Sequence, residues 1–333
     1  MDTILVGDIG GTKTRLHLFS QTEGPRAPLD SRTFSSQAYD SLEAILTAFA
    51  ADCRHTISRA VFGVAGPVVA GRVEVTNLPW VIAASALARH LGIARVTLMN
   101  DLQAVAYALP FLDRSDRLTL NPGNPVPEGT RAVIAPGTGL GEAFLIAGPD
   151  GPVAYPTEGG HVSFAPRGET QIQLLRFMSE RFDHVSFERV CSGIGIPHLY
   201  RFFKTLGRQP VSPSVDARVD AADDPTPIIV RSALETPSAC PLCVQVLDTF
   251  VEILGAAAGN LALKTAALGG IYVGGGIPPR IPEQLRHPRF MTAFTDKGRM
   301  AGMLEGIPVH LIVMPEVGVF GAACYAIHIQ KSE

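Results

Sequence analysis

The feature that most constrains the fold is the N-terminal stretch from Thr3 to Phe19. It begins as an apolar run that ends at Asp8, and the pair Gly10-Gly11 follows. From Thr14 to Leu18 the side chains then alternate between apolar and polar, which is typical of a strand. The stretch therefore predicts a strand, a tight turn and a second strand.

The turn in this stretch has the composition of a phosphate site. Two glycines let backbone N–H groups approach a ligand with no Cβ in the way, and Thr12 and Lys13 beside them complete a concave anion site. Asp8 ends the first strand, where a carboxylate can hold a metal ion bound to the phosphates. An ordinary Gly-Gly hairpin is an equally good interpretation of the stretch alone. A P-loop is excluded, because Thr12 stands where that motif needs glycine and residues 14–19 do not read as a helix.

The composition indicates a globular protein. A chain of 333 residues is long enough for two domains, and 46% hydrophobic with 18% charged residues argues against disorder. With a net charge of -3 and no run rich in lysine or arginine, there is no electrostatic case for binding nucleic acid or an anionic membrane. Charged residues interrupt the longest apolar stretch, Val244 to Leu268, which predicts a buried or amphipathic helix and not a membrane span.

The cysteines indicate a reducing compartment. The chain has 5, an odd and sparse set for its length, so we expect a cytoplasmic protein. Cys240 and Cys243 form a lone CxxC, whereas a structural zinc site needs a second pair. We interpret them as two ordinary thiols at a helix start.

The first part of the chain alternates strands and helices after the hairpin, which predicts an α/β domain with a mixed sheet. Asp40 and Glu43 have the spacing of a capping box, and an amphipathic helix follows. We place a domain boundary near Pro110. The predicted small domain takes residues 1–110 and about 310–333, and the large domain takes residues 111–309. Residues 206–227, rich in Pro, Asp and Ser, are predicted to form an exposed loop.

The second part of the chain begins with the same pattern of strand, glycine-containing turn and strand as the first part. An apolar strand from Arg131 leads into the glycine-rich turn Pro136–Gly141, and another strand follows. This repetition suggests a duplicated unit whose two turns could hold the phosphates of a nucleotide between them. Gly274-Gly275-Gly276 follow a later strand and would let the backbone approach a flat ring or a ribose. The alternative there is a flexible turn.

Five polar residues are candidates for chemistry. Asn100-Asp101 end a strand and open a helix, which is where open α/β sheets bind ligands. Asp101 could accept a proton from a hydroxyl nucleophile, or could serve only as an N-cap. Glu158, His161 and Glu188 combine carboxylates with an imidazole, a set suited to sugar hydroxyls. A loop histidine and a solvated helix glutamate are the alternatives, and metal ligation is a third, although no H-E-x-x-H motif is present.

These residues together resemble the bacterial glucokinases. The matching pieces follow the order of that family over nearly the whole chain: Leu5-Val6-Gly7-Asp8-Ile9-Gly10-Gly11-Thr12, Thr76-Asn77-Leu78-Pro79-Trp80, Asn100-Asp101, Pro136-Gly137-Thr138-Gly139-Leu140-Gly141, Glu158-Gly159-Gly160-His161, Glu188-Arg189-Val190-Cys191-Ser192-Gly193, Gly274-Gly275-Gly276-Ile277 and Phe294-Thr295-Asp296-Lys297-Gly298-Arg299.

The resemblance implies an α/β fold with two domains, the actin-like ATPase fold of ribonuclease H-like domains with an interdomain cleft. It implies ATP-dependent phosphorylation of the 6-hydroxyl of D-glucose, with Asp101 as general base and Mg²⁺ held by Asp8. The implied sugar-binding residues are Asn77, Asn100, Asp101, Glu158, His161 and Glu188. The implied nucleotide-binding residues are Asp8, Gly10, Gly11, Thr12, Gly137, Thr138, Gly275 and Gly276.

The expected partners are glucose and ATP, with no nucleic acid and no membrane, and we expect a homodimer. No zinc is expected, because no cysteine-rich segment follows His161. Two alternatives remain: a kinase of another hexose such as mannose or fructose, and a sugar-sensing regulator without catalysis. We disfavour the regulator, because Asp101 is present and because the first strand begins at residue 3, with no helix-turn-helix before it.

Overall fold

The computed structural model describes residues 3–235 and 237–329, which group into two compact units. Unit 1 contains residues 3–116, 143–156 and 314–329, and unit 2 contains the described residues of 117–142 and 157–313. The sequence-based division assigns residues 143–156 to the large domain, whereas they group here with the N-terminal segment. The domain division itself stays a prediction.

The strands are, in chain order, β1 (Thr3–Ile9), β2 (Lys13–Ser20), β3 (Pro28–Ser35), β4 (Ile57–Val64), β5 (Arg72–Glu74), β6 (Val81–Ala83), β7 (Val96–Asn100), β8 (Arg117–Asn121), β9 (Arg131–Pro136), β10 (Leu140–Ile146), β11 (Val153–Thr157), β12 (Gly270–Val273) and β13 (Val309–Ile312).

The α-helices are, in chain order, α1 (Leu42–Ala51), α2 (Ala84–Leu91), α3 (Asp101–Ala108), α4 (Gly168–Ser179), α5 (Gly195–Leu206), α6 (Pro213–Ala221), α7 (Thr226–Glu235), α8 (Pro241–Thr265), α9 (Pro282–Arg286), α10 (Pro288–Thr295), α11 (Ala301–Glu305) and α12 (Val317–Cys324). Residues Tyr325–Ile329 continue α12 as a π-helix.

The sheet of unit 1 is built around the predicted hairpin. Its strand order is β3-β2-β1-β4-β7, with β1 antiparallel to β2 and parallel to β4. Every residue of β1 except Asp8 is buried, as expected for a central strand covered on both faces. α12 packs on α3 and β1, so the C-terminal helix belongs to the core of this unit. Trp80 is buried in a hydrophobic cluster with residues of β1, β2, α1 and β4.

The helix start predicted from a capping box is shifted by one residue. α1 begins after Ser41, whose side chain accepts a hydrogen bond from Ala44 N, so the N-cap is Ser41 and not Asp40. The predicted apolar stripe is confirmed, since Leu42, Ile45, Leu46 and Phe49 are buried.

The second sheet repeats the order of the first. Its strands run β11-β10-β9-β12-β13-β8, so β9, β12 and β13 take the places that β1, β4 and β7 occupy in the first sheet. β12 is parallel to β9 and to β13, as β4 is to β1 and β7. The extra strand β8 runs antiparallel to β13. The repetition inferred from two strand–turn–strand motifs is present in the topology.

The predicted loop over residues 206–227 is wrong, because this segment contains helix α6. Pro213 stands in its first turn, where a missing N–H costs nothing. Val215 and Val219 lie one turn apart and are both buried, which gives the helix an apolar stripe. Proline and serine mark a helix start here and not a loop.

The predicted long helix corresponds to α8. By length and composition it could cross a membrane, but 78% of its most apolar window is buried within the protein, as in the core helix of a soluble domain. A Cβ at Gly255 would lie 2.3 Å from Phe290 O, and one at Gly259 would lie 2.4 Å from Phe294 O. The glycines therefore allow α10 to pack closely on α8.

Candidate active site

Turn 1 (residues 10–12) joins β1 to β2, as the sequence predicts. Gly10 N donates to Lys13 O at 3.0 Å and closes the turn. Ser36, which is fully buried, braces it from outside: its hydroxyl donates to Gly10 O at 2.8 Å and its N–H donates to Thr12 O at 3.0 Å. Sequence reasoning missed Ser36, because no local pattern links it to the turn. Two of the turn's carbonyls are thus fixed by one residue.

Asp8 lies at the carboxyl end of β1 directly opposite Arg15 of β2. Arg15 Nη1 donates to Asp8 Oδ2 at 3.0 Å. Burial raises the pKa of the Asp8 carboxyl, and the charge of Arg15 opposes that rise. Sequence reasoning missed this partner, because the register that places Asp8 opposite Arg15 depends on the geometry of the turn.

The single carboxylate of Asp8 suits a magnesium ion better than it suits a metal ion whose ligands are all protein side chains. Among residues 3–235 and 237–329, no group of three or more His, Cys, Asp or Glu side chains could hold a metal ion. Mg²⁺ usually keeps several waters and binds one or two carboxylates together with substrate phosphates. Asp8 is a single carboxylate beside turn 1, the predicted phosphate site, and so meets that requirement.

Asn77 lies against turn 1. A Cβ at Gly11 would be 3.2 Å from Asn77 Cβ, so glycine allows this approach. Asn77 has a left-handed backbone conformation with φ +66, which asparagine tolerates better than most residues, and it is exposed. The structure thus brings one predicted sugar-binding residue next to a predicted phosphate turn.

Asn100 and Asp101 lie where β7 ends and α3 begins. The Asn100 side chain caps α3 by accepting from Leu102 N at 2.9 Å and Gln103 N at 3.2 Å. Its amide donates to Gly66 O at 3.2 Å. Asp101 is the first residue of the helix and half-buried, and one of its oxygens accepts from Leu102 N at 2.8 Å. The capping role weighed for Asp101 therefore belongs to its neighbour.

Turn 2 (residues 137–139) lies in unit 2 and joins β9 to β10. Gly137 N donates to Gly139 O at 2.9 Å, and Gly193 N donates to Gly137 O at 2.7 Å. Thr138 is exposed at its tip, and its carbonyl accepts from Ile194 N at 3.1 Å. The start of α5 therefore holds the turn.

The glycines after β12 lie beside turn 2. Gly275 has φ +88, and a Cβ there would be 2.5 Å from Pro136 O, so only glycine fits. A Cβ on Gly137 would lie 3.9 Å from Gly276 N. The structure thus brings together two of the predicted nucleotide-binding segments within unit 2.

Glu158, His161 and Glu188 form one cluster. His161 Nε2 is 3.9 Å from Glu158 Oε2, and His161 Nδ1 is 4.0 Å from Glu188 Oε1. His161 and Glu158 are exposed, whereas the Glu188 side chain is only 19% accessible. Glu188 Oε2 accepts from Leu140 N at 2.9 Å, which ties this carboxylate to the end of turn 2. These three predicted sugar-binding side chains therefore lie close together.

Glu142 is a buried carboxyl that sequence reasoning missed. It lies on β10 behind the loop of Glu158, and a Cβ on Gly159 would be 1.9 Å from Glu142 Oε2. Glu142 is only 7% exposed, and burial raises the pKa of its carboxyl to about 7. Its one sequence signal is a charged residue between the apolar positions Leu140 and Ala143.

The predicted site residues thus form two clusters. One lies in unit 1, and its members are Asp8, Gly10, Gly11, Thr12, Asn77, Asn100 and Asp101. The other lies in unit 2, and its members are Gly137, Thr138, Glu158, His161, Glu188, Gly275 and Gly276.

Comparison with known proteins identifies relatives along the full chain. A family model described as Glucokinase matches residues 5–329. The glucokinase of Nostoc punctiforme (strain ATCC 29133 / PCC 73102) is 38% identical over 98% of this chain and 99% of its own length.

Several solved structures share the fold. A glucokinase from an Antarctic psychrotroph matches with a TM-score of 0.83 and 32% identity, over 99% of this chain and 100% of that one. The glucokinase of Balamuthia mandrillaris, solved in complex with glucose, matches with a TM-score of 0.80 over 98% of this chain and 93% of that one. Its identity is 22%, so this second likeness concerns the fold alone.

Proposed function

Because this chain belongs to the glucokinase family, we propose that it transfers the γ-phosphoryl group of ATP to the 6-hydroxyl of D-glucose. The family identified from the sequence and the two-domain actin-like ATPase fold are confirmed. The chain is an ATP-dependent sugar kinase. The observation that carries the proposal is a family match over residues 5–329 in a chain that keeps an aspartate at the carboxyl end of β7.

Asp101 is the proposed general base. Phosphoryl transfer needs little covalent help from the protein, but the attacking hydroxyl must lose its proton as the bond to phosphorus forms. Asn100 caps α3 with its side chain, so Asp101 is not needed for that cap. A carboxylate at the first turn of a helix is also stabilised by the helix dipole.

The proposed sugar ligands are Asn77, Asn100, Glu158, His161 and Glu188. Carboxylates accept from sugar hydroxyls, and His161 can donate through one ring nitrogen and accept through the other. Because Glu188 is held by Leu140 N, its second oxygen keeps a fixed direction toward His161. A site with such fixed acceptors distinguishes sugars by the hydroxyls that they present.

Turns 1 and 2 are the proposed binding sites for the phosphates of ATP, and Gly275 and Gly276 border the adenosine. Their backbone N–H groups can donate to phosphate oxygens, and the exposed hydroxyls of Thr12 and Thr138 add donors. Asp8 is the proposed protein ligand of Mg²⁺, which when bound would neutralise phosphate charge.

The test is an ATP-dependent phosphorylation assay with glucose, mannose, fructose and N-acetylglucosamine. Glucose is expected to give the highest kcat/KM. A higher value for mannose or fructose would make this chain a kinase of that hexose. No turnover with any of them, in a protein that still binds glucose, would favour a sugar-sensing regulator.

Asp101→Ala tests the base. We expect kcat to fall by about 10² to 10⁴, the range of general-base catalysis, while glucose still binds. Asp183→Ala is the matched control, because Asp183 is an exposed aspartate of unit 2 outside both clusters. Near-normal turnover by a folded Asp101→Ala protein would contradict the assignment.

A homodimer and a cytoplasmic location complete the proposal. The described cysteines are all free, in keeping with the reducing compartment expected from their number. Sedimentation velocity at several protein concentrations would distinguish a dimer from a monomer.

A further inference from the structure

Arg15 is shared between two carboxylates within unit 1. Its Nη1 donates to Asp8 Oδ2 at 3.0 Å, and its Nε donates to Glu316 Oε1 at 2.9 Å. The other oxygen of Glu316 is 3.4 Å from His17 Nε2. Two edges of the guanidinium are therefore held, which leaves it little freedom to rotate away from Asp8.

Glu316 has a backbone conformation that its residue type disfavours. It precedes α12 with φ 54 and ψ 33, a left-handed conformation in which glycine is unstrained and a residue with a Cβ is not. Its side chain does not cap the helix. What this glutamate contributes is its contact with Arg15 and His17.

Glu128 offers a comparison inside the same chain. It has φ 59, so it carries the same backbone strain. Among the described residues it forms no ion pair, since none of the observed salt bridges includes it. The ion pairs of Glu316 are thus not a general consequence of a glutamate in this conformation.

The first turn of α12 lies beside Asp8. A Cβ on Gly318 would be 3.9 Å from both Cγ and Oδ1 of Asp8. Glu316 therefore joins the start of this C-terminal helix to β2, the strand that carries Arg15 and pairs with the strand of Asp8. Mutation of a side chain that orients a metal ligand through a hydrogen bond typically lowers metal affinity by about 10- to 100-fold.

We propose that Glu316 is a positioning residue that holds Arg15 against Asp8 and so fixes the Asp8 carboxylate for magnesium and nucleotide. The inference rests on the proposed role of Asp8 in binding Mg²⁺ with ATP. Without Glu316, Arg15 keeps one anchored edge and gains freedom to move, and Asp8 loses a fixed orientation. The loss falls on the nucleotide side of the reaction, because Asp8 is a proposed ligand of Mg²⁺ and nucleotide, whereas neither Glu316 nor Arg15 is a proposed sugar ligand.

The experiment compares Glu316→Gly and Glu316→Gln with wild type in the full chain. Calorimetry measures binding of ADP with Mg²⁺, and steady-state kinetics give separate KM values for ATP and glucose. Glu316→Gly relieves the backbone strain and should lower Mg·ADP affinity by about 10- to 100-fold, with glucose KM changed by less than about twofold. Glu316→Gln keeps an oxygen that can accept from Arg15 Nε, so its loss should be smaller.

Glu128→Gly is the matched control and should bind Mg·ADP as wild type does. If Glu316→Gly binds Mg·ADP within about twofold of wild type, or weakens glucose and nucleotide equally, the inference is overturned. Asp8→Asn separates the possible failures. If Glu316 acts through Asp8, then Glu316→Gly adds no further loss in the Asp8→Asn background, whereas additive losses would overturn the inference. The phosphorylation assay on wild type tests the proposed function independently.

Discussion

The substitution Gly139→Ala tests how Glu188 is held at the end of turn 2. A Cβ at this position would lie 2.4 Å from Glu188 Oε2 and 3.3 Å from its Cδ. Both are too close, so the carboxylate must move. Since Gly139 does not have a positive φ, the backbone accepts alanine without strain, and the perturbation is confined to the Glu188 side chain.

Movement of Glu188 breaks a specific contact. Its Oε2 accepts from Leu140 N at 2.9 Å, a hydrogen bond to an ionised group. Such a bond contributes about 1.5–3 kcal/mol. If the full contribution is lost where glucose binds, kcat/KM for glucose falls by about 10- to 150-fold, since 1.4 kcal/mol is a factor of ten.

A coupled assay of glucose 6-phosphate formation, with glucose and ATP varied in turn, measures this effect. Glu188→Ala provides the reference. If the new alanine acts only by displacing Glu188, Gly139→Ala should cause little further loss of kcat/KM in a protein that already carries Glu188→Ala. Gly302→Ala is the control for replacing a glycine, since no heavy atom lies within 4 Å of its added Cβ. A folded Gly139→Ala enzyme with kcat/KM for glucose within about twofold of wild type would refute the reasoning, as would a further large loss in the Glu188→Ala background.

Two further predictions concern stability. Burial holds the pKa of Glu142 at about 7 against 4.5 in the unfolded chain, so the free energy of unfolding of wild type should fall as pH rises through that window. The fall is about 3 kcal/mol at most. Glu142→Gln should remove this pH dependence and raise the free energy of unfolding at pH 8. If urea titrations give both proteins the same free energy of unfolding at every pH in the window, the prediction is contradicted. Gly321→Ala should lower the free energy of unfolding by about 1–3 kcal/mol, because its Cβ would lie 1.9 Å from Ala104 O where α12 packs on α3. A melting temperature equal to that of Gly302→Ala would count against that packing argument.

The sequence determined the parts of this protein that depend on neighbours in the chain. Alternation and a glycine pair were sufficient for β1, turn 1 and β2, and the repeated motif at residues 131–147 correctly indicated a duplicated topology. The buried helix α8 followed from its apolar composition. Local rules also placed Asn100 and Asp101 at a strand end, although they did not say that Asn100 would be the cap.

Sequence patterns gave wrong or incomplete predictions in two situations. In one, the contact that decides the structure is distant in the chain; in the other, the same residue type occurs both in loops and at helix starts. Pro, Asp and Ser in residues 206–227 suggested a loop, yet burial of Val215 and Val219 against the rest of unit 2 makes that segment helical. Ser36 and Glu316 carry no local signal of function, and Glu142 shows only a charge among apolar positions, because the groups that these side chains meet come from elsewhere in the chain. The identity of a side chain states which hydrogen bonds and charges it can offer. Only the packing of distant segments, driven by burial of apolar surface, decides which groups it meets and how far from water they lie.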